Sequence, residues 1–68
     1  MTIPEKLIKK WKVLKSPGDA GKLSDKLADS YPEMFNRALR EGKCTDEVFA
    51  VMAPFYEEKE KMVKEYLL

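Results

Sequence analysis

Two helix starts lie fourteen residues apart in this 68-residue chain, and they constrain its fold more than any other feature. Each has a serine, then a proline, then an acid, in the segments Ser16-Pro17-Gly18-Asp19 and Ser30-Tyr31-Pro32-Glu33. A serine hydroxyl can cap the free amides of a helix, and proline pre-sets its first turn. The pattern therefore predicts two helices, the first about three turns long at most, joined by a tight corner at residues 28–30.

Apolar residues recur at helical spacing on both sides of this corner. The residues predicted to point inward are Ala20, Leu23 and Leu27 in the first helix and Phe35, Ala38 and Leu39 in the second, with Met34 at the margin. Two helices joined by a three- or four-residue turn form either an antiparallel hairpin or a steep crossing. The steep crossing is the helix-turn-helix unit, and it predicts a DNA-recognition helix at about residues 31–41.

The outward face of this recognition helix carries side chains suited to reading bases. It consists of Glu33, Asn36, Arg37 and Arg40. Arginine can bind guanine with two hydrogen bonds, and asparagine can bind adenine in the same way. The alternative interpretation of this face is an ordinary solvated surface. Phosphate or sugar contacts are predicted at the helix start and from nearby lysines. The predicted DNA-binding residues are Ser30, Tyr31, Glu33, Asn36, Arg37, Arg40, Lys43, Lys22 and Lys26.

Three backbone signals shape the rest of the chain. The corner contains no glycine, so Asp29 is the residue predicted to adopt a positive φ. Gly42 ends the recognition helix, and Thr45 caps the start of a last helix at about residues 46–67. Pro54 lies inside that helix and predicts a kink or a break. Because the apolar phase continues across it, one kinked helix is favoured.

The segment Thr2-Ile3-Pro4-Glu5 predicts a capping box at the start of another helix, which should run to about Leu14. Its apolar stripe consists of Ile3, Leu7, Ile8, Trp11 and Leu14, and Trp11 is interpreted as a core anchor. The sequence as a whole predicts an all-α fold of four to five short helices. This fold is one domain over residues 1–68, with a helix-turn-helix core and a kinked C-terminal helix.

Composition excludes several kinds of site. Hydrophobic residues make up 44% and charged residues 37%, which favours a folded domain over disorder. With one cysteine and no histidine, the chain has no ligand set for zinc and no Ser-His or Cys-His pair, so we expect no metal, cofactor or catalytic residue. Cys44 should be half-buried and unreactive. Apolar runs are too short for a membrane span or signal peptide, which makes a cytoplasmic location the default expectation.

Charge is distributed unevenly along the chain. Residues 1–26 carry seven lysines and three acids, whereas residues 44–68 carry three lysines and six acids. This polarity is compatible with a basic face turned toward phosphate and equally with ordinary solvated helices. The lysines of the first helix fit either interpretation.

A resemblance to a known family extends over most of the chain. It is carried by the segments KLIKKWKVLKSPGDAGKLSDKL and NRALREGKCTDEVFAVMAPFYEEKEKMVKEYL. They resemble small helix-turn-helix DNA-binding proteins of phages and mobile elements, of the phage-repressor-like type. In that family the segment matching Pro32 to Leu39 is the recognition helix. The resemblance implies contact roles for Ser30, Tyr31, Glu33, Asn36 and Arg37, and sequence-specific DNA binding as a small transcriptional regulator.

Two alternatives remain open at the level of sequence. The apolar residues of the C-terminal helix, Met62, Val63, Tyr66, Leu67 and Leu68, are expected either to form a homodimer or to fold back over Leu7 and Trp11. The second functional hypothesis is a protein-interaction module, such as a phage inhibitor or adaptor, that presents Tyr31, Met34 and Phe35 to a partner without binding DNA. An enzyme is not expected, because nothing near the acidic pairs would shift their proton affinities.

Overall fold

Four α-helices make up the chain in the computed structural model, which describes residues 1–67 apart from the side chain of Leu67. They are α1 (Glu5–Leu14), α2 (Asp19–Asp25), α3 (Pro32–Glu41) and α4 (Asp46–Leu67). The predicted all-α fold is confirmed. Leu67 and Leu68 were also predicted to make tail contacts, and their side chains lie outside the part of the chain that the structure describes.

The core draws on all four helices and on the segment before α1. α2 packs against α3 and α4, and α1 packs against α4. The buried apolar residues are Ile3, Leu7, Leu23, Phe35, Ala38, Leu39, Val48, Met52 and Tyr56. Leu23, Phe35, Ala38 and Leu39 point inward as predicted, and Met34 is half-buried at the margin. Trp11 is also half-buried and packs against the core, which confirms its interpretation as an anchor.

The predicted capping box at the start of α1 is wrong. α1 begins after Pro4, and no side chain caps it. Thr2 instead forms an isolated antiparallel bridge with Lys43, and the amide of Ile3 donates to the carbonyl of Gly42 at 2.8 Å. Because Ile3 is buried, the chain before α1 is pinned in an extended conformation against the end of α3, out of capping geometry.

Ser16 does not cap α2 either. Gly18, with φ of 91°, lies at the N-cap position, and the Ser16 hydroxyl donates to the carbonyl of Leu14. Half of a capping box remains, because a carboxylate oxygen of Asp19 accepts the Ser16 amide at 2.9 Å. The acid therefore organises this corner, and the serine hydroxyl does not.

The corner between α2 and α3 is longer than predicted, at residues 26–31. The amides of Lys26 and Leu27 bond to carbonyls three residues back, which tightens the end of α2 instead of extending it. Ser30 turns its hydroxyl toward the carbonyls of Leu27 and Ser24, and Tyr31 takes the N-cap position of α3. Asp29 adopts the predicted positive φ, at 61°.

Two further helix boundaries agree with prediction. Gly42 ends α3 with φ of 74°, and the hydroxyl of Thr45 accepts the amide of Val48 at 3.3 Å. α4 runs continuously through Pro54, so the alternative of a broken helix is wrong. Pro54 has no backbone N–H to donate to the carbonyl of Ala50. Because both residues are exposed, water can bond to that carbonyl instead.

Candidate nucleic-acid interface

The outward face of α3 is exposed as predicted. Because α3 buries Phe35, Ala38 and Leu39, helical geometry turns the opposite side chains to solvent. Arg37, Arg40 and Glu33 are exposed, and Asn36 is half-buried. Among the described helices, α2 provides the main support of α3 and leaves this face open.

Arg40 is already engaged on this face. Its guanidinium forms an ion pair and hydrogen bond with Glu33 two turns earlier, with both side chains more than half exposed. The hydrogen bond from Arg40 and its positive charge lower the pKa of the Glu33 carboxyl. Arg37 has no ion-pair partner within residues 1–67. Arg37 is therefore the arginine that is free to bind a base without a change of partner.

The start of α3 differs from the predicted phosphate site. In the free chain the Ser30 hydroxyl donates to backbone carbonyls at the end of α2, so it would have to rotate to donate to a phosphate. The phosphate contact of Ser30 stays a prediction. Tyr31 is 52% exposed beside the first turn of α3, where no side chain caps the helix.

Lys43 and Arg37 line one depression together with three acids, Asp29, Glu41 and Glu47. The carboxylates outnumber the cations here. This side of α3 therefore offers Lys43 as a single phosphate contact beside acidic groups, which is a weaker electrostatic attraction than the sequence predicts.

A basic cluster at the end of α1 was not assigned from the sequence. Trp11, Lys12, Lys15 and Arg40 line a shallow depression of about 560 Å³ together with one acid, Glu41. The Lys15 ammonium lies 5.0 Å from the centre of the Trp11 ring. Lys12 and Lys15 have no ion pair within the described chain, whereas Lys9 and Lys10 pair with glutamates. No local sequence signal marks this cluster, because it forms where α1 meets the end of α3.

Lys22 and Lys26 lie in a different place from the α3 face. They line a groove of about 800 Å³ between α2 and α4, and no residue of α3 is among the described residues that line it. The Lys26 ammonium is 5.9 Å from the centre of the Phe55 ring. The structure thus does not bring these two lysines together with Arg37 and Arg40.

The surface predicted for a protein-interaction module loses its main anchor. Phe35 is fully buried and Met34 is half-buried, because both contribute to the core behind α3. Only Tyr31 of the three predicted contacts is well exposed. The prediction that this set presents Phe35 to a partner is therefore wrong.

The tail of α4 packs on α1, which is one of the two arrangements predicted from the sequence. Lys10 pairs with Glu60 at 3.6 Å, and half-buried Val63 lies in a depression lined mostly by α1. Met62 is 50% exposed on the other side of α4, at the groove with α2, and Tyr66 is 86% exposed. Met62 and Val63 therefore lie on different sides of α4.

Other kinds of site are not seen in the part of the chain that the structure describes. Residues 1–67 contain no group of three or more acidic or sulfur side chains placed to hold a metal ion. Within the same residues no helix combines the length and apolar character needed to cross a bilayer. Cys44 is half-buried, and this burial raises the pKa of its thiol, in agreement with its predicted low reactivity.

No protein-family model, curated protein or solved structure matches this chain. The resemblance to phage-repressor-like proteins therefore remains a prediction.

Proposed function

We propose that this chain binds double-stranded DNA through the exposed face of α3 and acts as a small sequence-specific transcriptional regulator. The observation that carries the proposal is the two-sided character of α3. One side is fixed in the core by Phe35 and Leu39, while Arg37 projects into solvent without an ion-pair partner among the described residues. A helix held firmly on its supporting helix can place such a side chain against base edges in the major groove.

Cations at the end of α1 support this orientation. Lys12 and Lys15 share a depression with Arg40, so their ammonium groups are placed to contact phosphates beside the groove that α3 enters. Arg40 can join them, because an exposed ion pair such as Arg40–Glu33 contributes only about 0–1 kcal/mol. A phosphate oxygen can then replace the Glu33 carboxylate.

We further propose that the regulator binds as a homodimer. A single helix of this length contacts few base pairs, and symmetrical pairing doubles the contacts and sets the spacing of two half-sites. The exposed apolar side chain of Met62 on α4 supports pairing of two copies, away from the α3 face.

The test is selection of bound duplexes from a random pool, followed by titration of the selected duplex by fluorescence anisotropy. We expect an enriched sequence and an affinity that falls steeply with salt. Arg37→Ala should lower affinity by about 1–3 kcal/mol and relax preference at one base pair. Lys61→Ala removes the same charge from an exposed position on α4 and serves as the matched control. Equal losses in the two variants, or no salt-sensitive binding at all, would contradict the proposal.

Glu33→Gln provides a second test with the opposite sign. Removing the carboxylate frees Arg40 and deletes a negative charge from the binding face, so we expect DNA affinity to increase at constant salt. Glu65→Gln, at an exposed glutamate near the end of α4, is the matched control. If Glu33→Gln instead lowers DNA affinity, Glu33 itself contacts a base, as an acceptor for the amino group of cytosine.

A protein-interaction module remains the second candidate function, and exposure of Tyr31 beside α3 favours it. Tyrosine is a common anchor of protein interfaces. On this hypothesis the chain shows no salt-sensitive binding to any duplex, and Arg37→Ala has little effect on the partner.

A further inference from the structure

The groove between α2 and α4 has an apolar floor that is open to solvent. Its floor residues are Ala50, Val51, Pro54, Phe55 and Met62, all on α4. Met62 is 50% exposed and Pro54 is also exposed, whereas Val51 and Phe55 are half-buried. Pairing with another surface would remove these apolar side chains from water.

The two edges of the groove carry opposite charges. Lys22 on α2 and Lys26, directly after the end of α2, form one edge and have no ion pair within residues 1–67, and exposed Glu58 on α4 lies on the other. Lys59 and Asp19 also line the groove, but they neutralise each other in an ion pair at 2.5 Å. The unpaired charges therefore differ in sign between the α2 side and the α4 side, and on the α2 side the Lys26 ammonium reaches over the floor to 5.9 Å from the centre of the Phe55 ring.

We propose that a second copy of this chain covers this groove, with a two-fold axis that runs along the groove, parallel to α4 and close to Phe55. In a two-fold interface the same surface is used by both subunits and must be complementary to itself. The rotation lays floor on floor and places the lysine edge of each copy opposite the acidic edge of the other. Charge complementarity thus selects a second copy as the occupant, and it assigns Lys22 and Lys26 to this interface.

A domain of this size has a small core and gains stability when further apolar surface is buried by pairing.

This inference rests on the dimer in the proposed function but not on DNA binding, so its test is carried out without DNA. The test is sedimentation equilibrium of the full chain over a range of concentrations. The wild type should associate to a dimer. The variants Lys22→Glu/Lys26→Glu and Glu58→Lys should each weaken association at least about tenfold, because like charges then face each other in both halves of the interface.

An equimolar mixture of these two variants should regain association close to that of the wild type. In the mixed dimer each altered edge faces an edge of opposite charge, whereas neither variant can achieve this with itself. Circular dichroism of each variant checks that the helices remain folded. If the double variant does not fold, Lys22→Glu alone replaces it in the mixture, since it keeps the contact of the Lys26 ammonium with the Phe55 ring.

Two further variants serve as controls: one removes an exposed aromatic ring outside the groove, and the other alters the proposed DNA-binding face. Tyr31→Ser should leave association unchanged, because Tyr31 is exposed beside α3, away from the groove. Arg37→Ala should also leave it unchanged while weakening DNA binding, so failure of one proposal does not imply failure of the other. A wild type that stays monomeric, or a mixture that associates no better than its components, would overturn the inference.

Discussion

A single buried ion pair positions the corner between α1 and α2. The Asp19 side chain is only 7% exposed, and one of its carboxylate oxygens accepts from the Ser16 amide and from the Lys59 ammonium of α4. The Lys59 ammonium also donates to the Ser16 hydroxyl at 2.8 Å. A buried carboxylate is costly unless it is paired, so these contacts tie the corner to a residue forty positions later in the chain.

Removing Lys59 should therefore be more damaging than removing another lysine of α4. We expect Lys59→Met to lower the free energy of unfolding by about 3 kcal/mol, the lower end for a broken buried pair, since Asp19 keeps its bond from Ser16. Lys61→Met, at an exposed site, should change it by less than about 0.5 kcal/mol. Urea unfolding measures both values. Equal effects would show that the Asp19–Lys59 pair adds nothing to stability.

Burial of Tyr56 makes the fold sensitive to alkaline pH. Burial, with a smaller contribution from the charge of Asp19, raises the pKa of the Tyr56 phenol from 10.0 to about 12. The phenol is neutral in both states below pH 10, so its contribution is then fully present. Between pH 10 and 12 it ionises first in the unfolded chain, and stability falls as pH rises.

The pH prediction is tested by comparing the wild type with Tyr56→Phe. The wild type should lose about 2 kcal/mol more than the variant between pH 9 and pH 12, because only the wild type has this phenol. Other groups that titrate in this range are common to both proteins and cancel in the difference. Parallel stability curves would contradict the predicted burial of the hydroxyl.

At the scale of the helices, sequence periodicity predicted the faces better than the ends. The spacing of Phe35, Ala38 and Leu39 placed the inner side of α3 correctly, because a period of 3.6 residues is a local property of the helix. The serine-proline-acid pattern placed the two starts within a few residues but assigned the wrong capping groups. Ser16 and Ser30 each have several backbone partners within reach, and the choice depends on Asp19 and on the carbonyls at the end of α2.

Substitution by alanine should change the free energy of unfolding in opposite directions at Gly42, just after α3, and at Gly21, inside α2. Gly42 has φ of 74°, which a side chain disfavours, so Gly42→Ala should lower the free energy of unfolding by about 1–2 kcal/mol. A methyl group on Gly21 inside α2 would meet no atom within 4 Å, and Gly21→Ala should raise it by up to about 1 kcal/mol. Thermal unfolding measures both variants. A destabilised Gly21→Ala protein would mean that α2 needs backbone freedom at that point.

At the scale of the whole molecule, helix packing regroups the charges. α1 brings Lys12 and Lys15 to Arg40 at the end of α3, whereas α4 separates Lys22 and Lys26 from that face. The sequence predicted the outward stripe of α3 because its members lie on one helix. It could not predict the other two groupings, since each joins helices through contacts between residues that are distant along the chain.

If two copies share the groove between α2 and α4, stability depends on protein concentration. We expect the melting temperature of the wild type to rise with concentration, because association of folded chains stabilises the native state by mass action. The Lys22→Glu/Lys26→Glu variant should show no such rise. Differential scanning calorimetry at several concentrations measures this dependence. A melting temperature independent of concentration in both proteins would contradict pairing through this groove.

The sequence by itself determined the all-α class, the inner face of α3, the positive φ at Asp29 and the stop at Gly42. These features follow from helical period and from the backbone preferences of single residues, which neighbouring positions are sufficient to define. Only the tertiary structure decided that Asp19 pairs with Lys59, that Ser30 closes α2, and which lysines lie beside α3. Those outcomes depend on how the helices pack around the buried residues, and that packing is set by contacts between distant parts of the chain.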